Sequence, residues 1–149
     1  MSFPKVLATI AFASTVLFAA NDLFLGSWAV KPNAEKSKAS PGAQATMSID
    51  ATSDGYRIKL SNNSELTLHL DGHDYPREAF GVAKAVGADV VNARRLDTRT
   101  IETTFKRNGK PVATVRREVS VDGHVLTATT DEVLTTGEKR HSVVVFEKQ

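Results

Sequence analysis

Residues 98–148 read TRTIETTFK RNGK PVATVRREVSV DG HVLTATTD EVLTTGEKR HSVVVFEK, and this stretch decides the fold. Asn108-Gly109 and Asp122-Gly123 supply the positive-φ residues that tight primed turns require, and each lies between segments of alternating side chains. Thr98 to Lys106, Pro111 to Val121, His124 to Asp131 and His141 to Lys148 are therefore expected as consecutive antiparallel strands. The last two are joined through Thr135-Thr136-Gly137-Glu138. Alternation puts Ile101, Thr103 and Phe105 on one face, then Ala113, Val115, Val119 and Val121, then Leu126 and Ala128. The final strand is apolar on both faces, with Val143 and Val145 opposite Val144 and Phe146. Such a strand belongs where both faces are covered, or at a barrel seam.

The same period of two continues toward the N-terminus. Phe24, Gly26, Trp28 and Val30 share a face of Leu23 to Lys31, with Trp28 as a core anchor and Gly26 admitting a neighbouring backbone. Gln44 to Thr52, Tyr56 to Ser61, Glu65 to Leu70 and Ala88 to Leu96 follow as strands. Pro32 to Gly42 reads as a surface loop with one helical turn at Ala34 to Lys38, and Asp71 to Pro76 as a turn-rich stretch. Arg77 to Gly87 reads as a helical turn or a flap. The fold class is all-β: an antiparallel up-and-down meander of about eight to ten strands, closing into a barrel because closure removes exposed edges. An open, strongly coiled sheet is the alternative.

At 149 residues the chain suits one domain with a sizeable core. Within residues 1–20, Lys5 is the only charged side chain, Val6 to Ala20 is apolar or small, and Asn21-Asp22 ends the run. This is the pattern of a secretory signal peptide, short of the roughly 20 apolar residues of a spanning helix. Processing is expected near Ala20, although Phe18 then stands where a small residue is preferred. That gives a mature domain over 21–149, a periplasmic or secreted location and no stable membrane anchor. There is no cysteine, hence no disulfide framework and no lipid attachment through sulfur. Removing residues 1–20 takes away Lys5 and no acid, so 18 basic residues face 17 acidic ones. Such a balance offers no electrostatic reason for a nucleic-acid partner. A monomer is expected.

Phe24-Leu25-Gly26-Ser27-Trp28 resembles the F-x-G-x-W opening shared by lipocalins and fatty-acid-binding proteins. Asn108-Gly109-Lys110, Arg117-Glu118-Val119, Asp122-Gly123 and Phe146-Glu147-Lys148 are similar to the end of fatty-acid-binding proteins. The chain also resembles small exported bacterial proteins of lipocalin-like character, through Trp28 to Ser37 and Asp71-Gly72-His73-Asp74-Tyr75-Pro76. The resemblance implies a calycin-like barrel and a small apolar or amphiphilic ligand. Two departures bear on function. The residues from Pro32 to Ala43 are too few for the helical pair that fatty-acid-binding proteins carry as a portal lid, and Val144 and Phe146 stand where their carboxylate-gripping Arg-x-Tyr would be.

The chemistry-bearing residues are sparse. His69 and His73 with Asp71 and Asp74 come nearest to a metal cluster, but alternation puts His69 on a polar strand face and His73 in a solvated turn. No metal or other cofactor is assigned. Nucleophile elbow, cysteine, carboxylate pair and phosphate loop are all missing from the sequence, and no enzyme activity is expected. Arg117 falls on the inward face with Ala113, Val115 and Val119. A guanidinium there must pair with a buried acid, reach the barrel mouth, or meet an anionic ligand, unless a bulge turns it outward. The cavity-facing candidates are Trp28, Tyr56, Ile58, Leu66, Leu68, Phe105 and Arg117. They suit a binding protein for a small apolar or amphiphilic ligand; the size of the first six also suits a structural or interaction protein whose barrel is filled by its own side chains.

Overall fold

Alternating apolar residues, punctuated by Asn-Gly, Asp-Gly and Asx turns, leave the chain few options besides strands. In the computed structural model, which describes residues 22–31, 46–76 and 81–149, ten strands form one sheet. They are β1 (Gly26–Val30), β2 (Thr46–Ala51), β3 (Gly55–Leu60), β4 (Glu65–His69), β5 (Asp71–Pro76), β6 (Val90–Asp97), β7 (Thr100–Arg107), β8 (Lys110–Val119), β9 (Val125–Val133) and β10 (Lys139–Lys148). A single short helix, α1 (Gly81–Ala85), lies between β5 and β6. The expected export segment and most of the loop after Lys31 fall outside the described residues.

Except for β4 and β5, each strand pairs antiparallel with the next, and the first pairs with the last, Trp28 opposite Lys148 and Val30 opposite Phe146. The sheet order β4-β3-β2-β1-β10-β9-β8-β7-β6-β5 is that of a nearly closed barrel. Closure between first and last strands gives β10 its central place, and on its outer face Val145 is buried. No ladder joins β4 to β5 among the described residues, although only Leu70 separates them.

That opening falls where the sequence is poorest in strand formers. The stretch expected to be all turn, Asp71 to Pro76, is an edge strand instead, irregular between Asp71 and Asp74, with Gly72 at φ 77°. Its two Asp residues, glycine and proline are what blunts an exposed edge against further pairing. A ring contact bridges the seam: the His69 ring stacks on Tyr75 at 4.0 Å, and within β5 the Tyr75 hydroxyl donates to Asp71 at 2.5 Å.

One end of the barrel, the floor, is closed by the segment entering β1. Phe24 and Trp28 are wholly buried, and the Trp28 indole donates to the Phe24 carbonyl at 2.9 Å. Lys148 lies over the indole ring at 5.1 Å and donates to the Leu23 carbonyl. Gly26 is needed for its φ of 120° and because a Cβ there would meet Lys148 Cε at 3.2 Å, rather than for a neighbouring backbone. Val121, expected inside, is 82% exposed, because β8 ends at Val119 and the chain turns outward.

Candidate functional site: the barrel interior

The register sorts inward side chains into rows across the wall from β6 to β10. Nearest the mouth run Val91, Phe105, Ala113, Glu132 and Arg140. Next come Ala93, Thr103, Val115, Thr130 and Ser142, and below them Arg95, Ile101, Arg117, Ala128 and Val144. Val119, Leu126 and Phe146 form the row at the floor. Arg117 therefore points inward one row above the floor, which removes both the outward slip and the mouth position. The bulge that β8 does contain leaves Val112 unpaired opposite β7, before Arg117 is reached, so the register there is regular.

Across the barrel, Trp28, Met47, Ile49, Tyr56, Ile58, Leu66 and Leu68 are all buried and close-packed. On the β8–β10 wall, Arg117, Ala128, Thr130, Ser142, Val144 and Phe146 face inward yet keep accessible surface. Inward residues with accessible surface border space that the packed side chains do not fill. Small side chains at Ala128 and Ser142 leave that space unfilled on this side. Of the seven cavity-facing candidates, Trp28, Tyr56, Ile58, Leu66, Leu68 and Phe105 are buried in the core, and Arg117 alone borders the space.

The surroundings of Arg117 are short of negative charge. Nη1 donates to the Thr103 hydroxyl at 3.1 Å, and no carboxylate among the described residues lies within ion-pair distance. Desolvation pulls the guanidinium down to about 10, still far above neutrality, so the charge persists. What remains is a half-buried, desolvated cation with unused donors beside a hydroxyl, the chemistry that receives an anion.

A second inward arginine is already satisfied. Arg95 donates to Asp22 Oδ2 at 2.8 Å, lies over the Phe24 and Tyr56 rings at 5.5 and 5.6 Å, and contacts the Tyr56 hydroxyl. Asp22 also accepts from Tyr56 and, at 3.1 Å, from the Phe24 amide. Burial, then the hydrogen bond to Asp22, pushes the Tyr56 hydroxyl well above the usual tyrosine range. This clasp ties the N-terminal segment, β3 and β6 together at the floor. Sequence reasoning missed it, although Arg95 shares the parity of Val91 and Ala93.

The histidine motif does not assemble. His69 Nδ1 meets Asp54 at 2.6 Å, His73 pairs with Asp71 at 3.3 Å, and Asp74 takes Lys106 at 2.8 Å and Asn92 at 3.1 Å. Among the described residues, no group of three or more His, Cys, Asp and Glu side chains could hold a metal ion. No family model, curated protein or solved structure matches the chain.

Proposed function

We propose that this barrel is an exported, lipocalin-like binding protein for a small amphiphile, its apolar part against the β8–β10 wall and an anionic group on Arg117. The observation that carries the reading is the half-buried, desolvated Arg117 guanidinium, with Thr103 as its side-chain partner among the described residues. A charge left in that state costs stability, and an anionic ligand would offset the cost. Among the described residues, those around it supply a cation and hydroxyls but no carboxylate or imidazole within ion-pair distance, which suits holding a molecule rather than transforming it. Removal of residues 1–20 would release a monomer to the periplasm or the medium, and kinship with calycins rests on the opening and tail motifs together with the nearly closed meander.

Native mass spectrometry of protein from its own host should reveal a co-purified anionic amphiphile. Purified protein should bind dansylaminoundecanoic acid, and Arg117→Met should abolish that binding with the fold intact. Unchanged binding in the mutant would remove Arg117 from the site. A second reading, a structural protein with a filled interior, draws on the close-packed β1–β4 half; absence of binding by the wild type would favour it.

A further inference from the structure

The floor is sealed by Phe24, Trp28 and the Asp22 clasp, and the seam is bridged by side chains, so the way to Arg117 runs through the mouth. On that side the mouth is bordered by the segment that leads into β6. Between β5 and β6 the chain forms α1 and continues through Val86, Gly87 and Ala88, and Ala83, Val86 and Ala88 are buried in the same core as Phe105, Val112 and Leu134. Arg107, at the end of β7, donates from Nη1 to the Val86 carbonyl at 2.9 Å. A Cβ on Gly87 would stand 2.9 Å from Thr135 Cγ2, in the turn between β9 and β10. The segment thus starts from β6, passes the β7–β8 turn and reaches the β9–β10 turn. It lies against the mouth end of the wall that carries Arg117.

The segment is weakly built. A five-residue helix is one turn and cannot sustain itself without packing. What it packs with is chiefly three side chains, Ala83, Val86 and Ala88, two of them a single methyl group. Regions with few buried contacts open locally at low free energy while the rest stays folded. The hydrogen bond from the Arg107 guanidinium is the strongest single polar tie. Gly87, at φ 61°, ends the helix through Gly87 N to Lys84 O and Ala88 N to Ala83 O, placing a compact pivot against Thr135.

We propose that α1 with Val86 and Gly87 is the lid through which the ligand reaches Arg117, latched by Arg107. This rests on the binding reading above and adds the route. A lid of this kind governs how fast a ligand comes and goes more than how tightly it is held, because the closed state is the same with and without a slower opening step.

The test locks the lid. Gly87→Cys with Thr135→Cys brings two Cβ atoms near the range a disulfide spans, about 3.5 to 4.5 Å. The wild type has no cysteine to interfere. Stopped-flow binding of dansylaminoundecanoic acid is then compared for the same double variant oxidised and reduced, so any strain of a side chain at Gly87 cancels. Oxidation should slow association and dissociation by about tenfold or more, with restoration on reduction. A second variant, Arg107→Met, keeps both positions native and should speed both rates severalfold with little change in Kd. If the wild type binds the probe but oxidation leaves the rates unchanged, the lid is wrong and the binding reading survives, with the β4–β5 seam as the route. If Arg107→Met leaves both rates unchanged, Arg107 is not the latch. If the wild type does not bind the probe, both readings fall together.

Discussion

The two halves of this barrel are built from the same alternating strands to opposite ends. From β1 to β4 the inward residues are large: Trp28, Met47, Ile49, Tyr56, Ile58, Leu66 and Leu68 are all buried. From β6 to β10 alanine, serine, threonine and valine prevail, and the inward face of β8–β10 keeps accessible surface. One half therefore supplies cohesion while the other leaves room. Arg95 and Arg117, the two arginines of the row above the floor, follow the same division. Arg95 is enclosed by Asp22, Tyr56 and Phe24, whereas Arg117 has a hydroxyl and no acid. A barrel can leave one wall open because the other holds it together.

The most severe test of that division is Trp28→Ala, which removes the largest fully buried side chain and its bond to the Phe24 carbonyl. A loss of roughly 3 to 5 kcal/mol in urea melts is expected, enough to unfold a marginal domain. Native Trp28 fluorescence should be blue-shifted. Exposed-type emission would mean the packed half is not packed.

Arg117→Met should move stability the other way. Depression of the guanidinium to about 10 means the charged form is disfavoured in the fold, so replacement by a neutral side chain of similar volume should raise stability by about 1 to 3 kcal/mol. The sign with pH agrees: above about pH 10 the unfolded chain holds a proton that the folded one has released, so this site's contribution rises there with pH. Destabilisation at neutral pH would point to an acid partner and erase the contrast with Arg95.

Asp22→Asn weakens the clasp and leaves the Arg95 charge partly buried with less compensation; a cost of about 1 to 3 kcal/mol is expected from thermal or urea melts. No cost would show that the floor does not depend on the clasp. The smallest effect belongs to the seam. The Tyr75 hydroxyl, then the His73 amide, hold the Asp71 carboxyl down at about 2. A depressed carboxylate contributes stability above its unfolded range and loses it as pH falls toward about 2. Tyr75→Phe should return Asp71 toward ordinary carboxylate values in an NMR titration, and an unmoved Asp71 would show that Tyr75 does not hold it.

Much of the fold was legible in the chain because strand period and turn chemistry are local. Asn108-Gly109 and Asp122-Gly123 marked two hairpins, and parity put Ile101, Phe105, Val115 and Arg117 inside, as found. Where local propensity was poor the reading went astray. Asp71 to Pro76 has the composition of a turn, and it becomes a strand only because β6 offers a ladder to pair with. Val121 looked inward by alternation, yet the strand ends before it.

Alternation and turn residues establish which side chains share a face, and so place Arg117 among apolar neighbours. They say nothing of what stands opposite that face, since partners such as Asp22 and Arg95, or Gly87 and Thr135, lie far apart in the chain. Curling of the sheet decided that, among the described residues, Arg95 meets a carboxylate and Arg117 does not, and that Gly87 meets the β9–β10 turn. Charge compensation and cavity filling depend on distances across the barrel, and those exist only once β1 has closed on β10.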